Sequence, residues 1–342
     1  MRGSSDKRDT SRSPLDRAPV SLAPLVSIII PCYNAEQYVG DAIQTALDQT
    51  YSPTEVVVID DGSTDGSLVV IKSFGDAVRW ETGPNRGGCA ARNRGVTLAR
   101  GELIQFLDAD DLLDSHKLER QVPLALSVSP QIVYCGWRLA SVNGKRPKQS
   151  KKHLPKLRAD PVIFTLLNGL LTSTSLYPVD LLHQVGGFRE GLSCAQDYDL
   201  NLRLACAGAR FHRCSEALVT KRKLPGSVSS DYVRLVDQWG DIFWRAFRGL
   251  RARGELTDER AAAFAAQMTR SGRKYLRYGL IDKAMARFAD AYQMHPSGGL
   301  HGAYGRVACL LRRSLGPVAA ERLVQFQRKP VRLLGPLQRI FH

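Results

Sequence analysis

With 342 residues, the chain is long enough for about two domains of ~150 residues each and for a sizeable hydrophobic core. Apolar residues at 44% and charged residues at 24% exclude disordered, collagen-like, coiled-coil and low-complexity classes. The net charge of +15 is concentrated in two stretches, Arg138–Arg158 with eight basic residues and no acid, and positions 301–342 with eight basic residues and one acid. An evenly basic nucleic-acid coat is thereby excluded, while a local patch for phosphate, anionic lipid or an acidic substrate is not.

Positions 1–24 are polar, rich in Ser, Arg, Asp and Pro, and read as a mobile tail without the basic-then-apolar order of an export signal. No apolar run reaches the ~18–20 residues that span a bilayer, so a cytoplasmic protein is expected. Val26 to Ile30 is a β-branched run closed by Pro31, a buried strand ending in a loop. Tyr38, Val39, Ala42, Ile43, Ala46 and Leu47 then recur at helical spacing. A second buried strand, Glu55 to Asp60, runs into the turn Asp61-Gly62-Ser63-Thr64-Asp65-Gly66 and a short helical pattern. Val78 to Glu81, a helix from Gly88 to about Ala99 and a strand Leu103 to Leu107 follow. This alternation predicts βαβ units on a mainly parallel sheet, whose ligands bind beyond the carboxyl ends of the strands.

Those ends carry Pro31-Cys32-Tyr33-Asn34, Asp60-Asp61-Gly62-Ser63 and Asp108-Ala109-Asp110-Asp111. Carboxylates gathered at one crevice repel, which calls for a divalent cation or a donor-rich ligand. A calcium loop starting at Asp61 fails at its twelfth position, where Lys72 stands. Gly83 to Gly88 has P-loop glycine spacing but continues with Cys89-Ala90 instead of Lys-Ser/Thr. The seven cysteines form no CxxC pair, so reduced thiols are expected and a zinc site is not.

Taken together, VSIIIPCYNAEQYVGDAIQTALDQTY, VVVIDDGSTDGS, NRGGCAARNRGVTLARGELIQFLDADD and AQDYDLNLRLA resemble the family 2 glycosyltransferases over about Val26 to Ser230. The resemblance implies an α/β GT-A fold, a Rossmann-like and mainly parallel sheet flanked by helices. The expected division is a tail at 1–24, the GT-A domain at 25–230 and a helical, basic region at 231–342. It also implies inverting transfer of one sugar from a nucleotide sugar, most often UDP-linked, to a hydroxyl acceptor on a glycan or lipid-linked molecule. Pro31, Tyr33, Asp61, Arg92 and Asp108 would surround the nucleotide, with Tyr33 stacking on the base and Asp61 accepting the uracil imino proton. Asp110 would hold Mg²⁺ or Mn²⁺, and Asp197 would be the catalytic base. A surface or buried salt bridge is the alternative for Arg92, and Asp111 is read as a helix cap. No nucleic-acid partner is expected.

Two positions depart from the family pattern. Gln196 replaces the usual Glu before the base, and Leu224 stands where relatives often carry His, leaving Arg222 or Lys223 as electrostatic substitutes. A nucleotide-sugar binder without turnover therefore stays open beside the enzyme. Trp239, Phe243, Trp244 and Phe247 recur at helical spacing and read as core or interdomain packing residues, with a sugar platform as the alternative. Gly272, Tyr275, Ala284, Phe288, Ala291 and Pro296 resemble one tetratricopeptide unit in spacing and, since a single copy forms no solenoid, read as one helical hairpin. The Leu/Val and Arg alternation after His301 permits a basic amphipathic helix at the cytoplasmic membrane face or a solvated basic face.

Overall fold

The structure is a computed structural model that describes residues 23–127, 131–140, 153–222 and 232–296. The expectations for Lys145 to Lys152, for Lys223 and Leu224, and for the basic positions from His301 onward lie outside the described residues.

Four short strands, β1 (Val26–Cys32), β2 (Thr54–Asp60), β3 (Arg79–Thr82) and β4 (Leu103–Phe106), alternate with α1 (Val39–Leu47), α2 (Ser67–Ser73) and α3 (Gly88–Leu98). These strands pair in parallel in the order β3-β2-β1-β4. Along β1 the pleat sends Ile28 and Ile30 into one hydrophobic cluster and Ile29 into another, so both faces of the sheet are covered. Each of these isoleucines is fully buried, contributing roughly 1.5–3 kcal/mol. Pro31 lies inside β1 instead of closing it, opposite Ile59 of β2. The chain tolerates it because β4 ends opposite Ile29, which leaves β1 without a β4 partner at Pro31.

Beyond β4 the sheet is mixed, a departure from a mainly parallel arrangement. After β5 (Leu112–Leu113), α4 (Lys117–Leu126), β6 (Gln131–Ala140), α5 (Pro161–Leu167), β7 (Ser175–Pro178), α6 (Val179–Gln184), α7 (Gln196–Cys206) and β8 (Arg210–Arg222), the full order is β3-β2-β1-β4-β7-β6-β8-β5. β7 is antiparallel to both β4 and β6, β8 is parallel to β6, and β5 is antiparallel to β8. The short β5 lays the segment after Asp111 against β8, through Leu112 opposite Thr220.

Three helices follow, α8 (Tyr232–Ala252), α9 (Asp258–Arg277) and α10 (Ile281–Met294). Phe243 and Phe247 of α8 and Phe264 and Met268 of α9 are buried in the same cluster as Phe164 of α5 and Leu200 of α7. The expected packing role of the α8 aromatics is therefore met, and the core crosses position 230 without a break. α9 and α10 form the expected hairpin, with Tyr275, Ala284 and Phe288 in a shared cluster. Among the described residues no helix is long and apolar enough to cross a membrane.

Candidate active site

The site lies beyond the carboxyl ends of β1, β2 and β4, closed by the start of α7 and the end of β8. At β1, Tyr33 is half exposed (50%) with its ring available to a ligand. Asn34 beside it takes a left-handed conformation (φ 48°), which its short amide side chain tolerates. Its Oδ1 accepts the Thr64 N–H at 2.8 Å, tying the β1 and β2 loops together. In the second loop Gly62 has φ 75°, and a Cβ there would sit 2.8 Å from the Asn85 nitrogen, so only glycine fits the turn.

Asp61 is brought to the crevice, but its carboxylate is already engaged. Oδ1 accepts the Arg86 N–H and Oδ2 the Gly87 N–H, both at 2.8 Å, which fastens the segment leading into α3. Each oxygen keeps a second lone pair for a ligand donor. Arg92, one turn into α3, adopts the ion-pair alternative. Its guanidinium donates to Asp108 Oδ1 at 2.6 Å and to Gln196 Oε1 at 2.8 Å, and it lies 5.4 Å from the Phe188 ring centroid. Gly95 lets α3 approach β1 this closely, since a Cβ there would meet Ile29 Cγ2 at 2.3 Å.

Asp108, Asp110 and Asp111 each present a carboxylate oxygen within 4.8 Å of the other two. Burial acts to raise the Asp108 carboxyl, but the charges of Arg92 and Lys221 outweigh it and hold Asp108 below the usual range. Asp110 is raised, first by burial and then by Asp108. Asp111 is fully buried and pushed up to about 7, again by burial first and Asp108 second. It caps no helix: Oδ1 accepts the backbone N–H of Arg222 at 3.2 Å, while the buried Oδ2 has no hydrogen-bond partner. The segment after Asp111 enters β5, so no helix is there to be capped.

Lys221 is the residue that sequence reasoning passed over. Its ammonium lies 3.7 Å from Asp111 Oδ2, and although burial acts to lower it, the charges of Asp111, Asp108, Asp110 and Asp197 raise it. Its place in a basic triplet is the sole signal, and Arg222, singled out instead, behaves differently. Arg222 turns to Asp41 of α1 at 2.5 Å and lies 5.6 Å from the Tyr38 ring centroid.

Asp197 stands in the first turn of α7, where the helix dipole favours a carboxylate. The preceding Ala195 is left-handed (φ 54°, ψ 28°), a conformation that costs an alanine roughly 1–2 kcal/mol and sets the entry angle of the helix. Oδ1 accepts the Tyr198 N–H at 2.8 Å, and Oδ2 has no hydrogen-bond partner among the described residues. Burial foremost raises the Asp197 carboxyl, and Asp108 adds to it. Asp199, two residues on, is structural: it pairs with Arg203 at 2.7 Å and Arg189 at 3.3 Å. That face of α7, with Leu202 and Cys206, lines a separate cavity of about 760 Å³ against α8.

The donor set suits a hard divalent cation. Three oxygen-bearing side chains converge, two of them raised by mutual repulsion and burial, and one buried oxygen lacks any donor, all of which a cation would relieve.

Comparison with known proteins agrees with this architecture. A sequence profile described as glycosyl transferase family 2 matches residues 27–186. An uncharacterized glycosyltransferase of Rickettsia felis is 34% identical over 244 residues, 69% of this chain, which spans only 39% of that relative's length. Another from Haemophilus influenzae is 38% identical over 218 residues, covering 60% of this chain and 85% of the relative. Among solved structures, S. aureus TarS 1-349 in complex with UDP-GlcNAc superimposes with a TM-score of 0.63 at 20% identity, covering 89% of this chain and 91% of that one. The fold is therefore GT-A, and the chain belongs to the family 2 glycosyltransferases.

Proposed function

We infer that the protein transfers one sugar from a nucleotide sugar to a hydroxyl of a glycan or lipid-linked acceptor, with inversion at the anomeric carbon and a requirement for Mg²⁺ or Mn²⁺. The observation that carries this reading is the convergence of carboxylate oxygens of Asp108, Asp110 and Asp111 within 4.8 Å of one another, with Lys221 3.7 Å from Asp111 and sensing the charge of Asp197 as well. UDP is the favoured carrier, since the TarS relative by fold binds UDP-GlcNAc and the crevice offers Tyr33 for stacking and Asp61 as an acceptor. Pro31, the last residue but one of β1, would border the same nucleotide crevice.

Asp110, with Asp108 and Asp111, would hold the cation, which supplies charge neutralisation to the departing diphosphate. Asp197 Oδ2 takes the proton from the acceptor hydroxyl as that oxygen attacks the anomeric carbon opposite the leaving group. Its raised carboxyl affinity for protons makes it a stronger base than an exposed aspartate. Lys221 offsets the acidic cluster in the free protein and remains positioned to meet diphosphate charge. Arg92 orients Asp108 and the α7 entrance. Action in the cytoplasm, beside a membrane-bound acceptor, fits the inferred chemistry.

The test is thermal stabilisation of the protein by a panel of nucleotide sugars with and without Mn²⁺, followed by release of nucleoside diphosphate from the stabilising donor. Mn²⁺-dependent stabilisation with diphosphate release is expected. Stabilisation without any release or transfer would leave a nucleotide-sugar binder, and no stabilisation by any donor would refute the reading.

A further inference from the structure

A cation outside the metal crevice has an unusual setting. Lys274 of α9 is half-buried, and its ammonium lies 4.1 Å from the Trp239 ring centroid and 5.0 Å from that of Tyr232, both on α8. It has no hydrogen-bond or ion-pair partner among the described residues. Arg270 and Arg277 occupy the same face of α9, at the i−4 and i+3 positions relative to Lys274. Burial lowers Lys274 to about 8, with the charges of Arg277 and Arg270 adding to it. Such an ammonium is costly where it stands and gains from an incoming anion.

Its location ties it to the chemistry. Trp239 packs against Tyr198, with ring centroids 6.2 Å apart, and Tyr198 is the residue after Asp197. Arg158, at the end of the basic Arg138–Arg158 stretch, is close enough to act on Arg270. Packed side chains therefore link the α7 turn that carries Asp197, through Tyr198 and Trp239, to Lys274 on α9. Partly exposed aromatic faces suit sugar rings, and the cations suit negative charge at intervals along the same molecule.

We propose that Lys274, framed by Trp239 and Tyr232 and flanked by Arg270 and Arg277, is an acceptor subsite for an acidic glycan, one carrying carboxylates or phosphodiesters along its chain. This rests on the glycosyl-transfer reading of the Asp197 crevice. An anionic membrane surface would share the charge but offers no ring to set against Trp239 and Tyr232, and the acidic cluster of Asp108, Asp110 and Asp111 disfavours a nucleic acid.

Calorimetric titration of the full chain, with UDP and Mn²⁺ present, tests it. The probes are a glucuronate-containing oligosaccharide, its carboxyl-reduced neutral counterpart and a glycerol phosphate oligomer. At least one acidic probe should bind the wild type about tenfold or more tightly than the neutral one, the scale of one charge-assisted hydrogen bond. Lys274→Met keeps an apolar stem between the rings and should abolish the preference, and the exposed Arg277→Gln should reduce it. Equal binding of all three probes by the wild type, or a preference surviving in both variants, overturns the proposal. So does a loss in the variants confined to anionic phospholipid vesicles or an RNA oligonucleotide. Nucleotide binding by the wild type is measured alongside: if it is absent, the glycosyl-transfer reading has failed, and if it is present without acidic preference, only the subsite has.

Discussion

One guanidinium, that of Arg92, joins the carboxylate of Asp108 at 2.6 Å to the side-chain carbonyl of Gln196 at 2.8 Å, linking the end of β4 to the start of α7. The Asp108 cluster and the turn that carries Asp197 thus share a strut. Gln196 also donates through Nε2 to the Leu192 carbonyl at 2.9 Å, so its neutral amide satisfies both a donor and an acceptor. Arg92→Met should cost about 1.5–3 kcal/mol in urea unfolding, the range for a hydrogen bond to a charged group. A loss below ~0.5 kcal/mol, the usual effect of a surface substitution, would show that the strut contributes nothing to folding.

Gln196→Glu restores the residue more usual before the base. It should strengthen the link to Arg92, lose the bond to Leu192, and place a second negative charge beside Asp197. The acid limb of the transfer rate should move to higher pH, because a nearby anion raises the proton affinity of the base. A pH profile superimposable on the wild type would show that Asp197 does not sense this position.

Asp110→Ala should abolish Mn²⁺-dependent binding of UDP, or of whichever nucleoside diphosphate the donor screen identifies, when measured calorimetrically. Retained Mn²⁺-dependent affinity would move the cation site elsewhere.

Asp197→Asn should leave donor binding nearly intact while slowing transfer by at least ~10²-fold, within the span for loss of a general base. Near wild-type transfer would eliminate the role. Loss of donor binding would instead mark Asp197 as a structural acid at the α7 terminus.

The acidic cluster also predicts how stability depends on pH. Asp111 has a folded-state value of about 7, above its ordinary value of 3.8, so the folded protein binds more protons than the unfolded chain between these limits. Its favourable contribution is therefore complete below about 4 and is lost as pH rises towards 7. In metal-free protein, the melting temperature should fall over this interval, and Asp111→Asn should flatten the fall. Added Mn²⁺ should recover stability at the upper end. A metal-free profile that does not fall would contradict the assigned environment of Asp111.

The first half of the fold is plain in the sequence because β1, β2 and β4 are buried on both faces, so they read as β-branched runs ending at Pro, Gly and Asp signals. The second half is not. β5 is two residues long and has no periodicity to detect, and β7 begins directly after a single tight turn at Thr172–Thr174. The motif positions are on one crevice because strand ends converge by topology, which the alternating pattern conveys. Lys221 was hidden because its carboxylate partners are brought to it by β5 and β8 pairing, which the local sequence does not encode. Asp111 was misread for the same reason: an Asp before an apolar pair resembles a cap until the strand that meets it is known.

The hydrophobic cluster that runs from Phe164 and Leu200 to Phe243, Phe247, Phe264 and Met268 limits how this protein can be divided or recombined. A fragment stopping at position 230 would retain every proposed donor-site residue and yet bare one wall of its own interior. Grafting the α8–α10 helices from a relative would require both sides of that wall to change together. Change in this scaffold can therefore accumulate most readily at residues on the outer faces of these helices, one side chain at a time, instead of by exchange of a ready-made module.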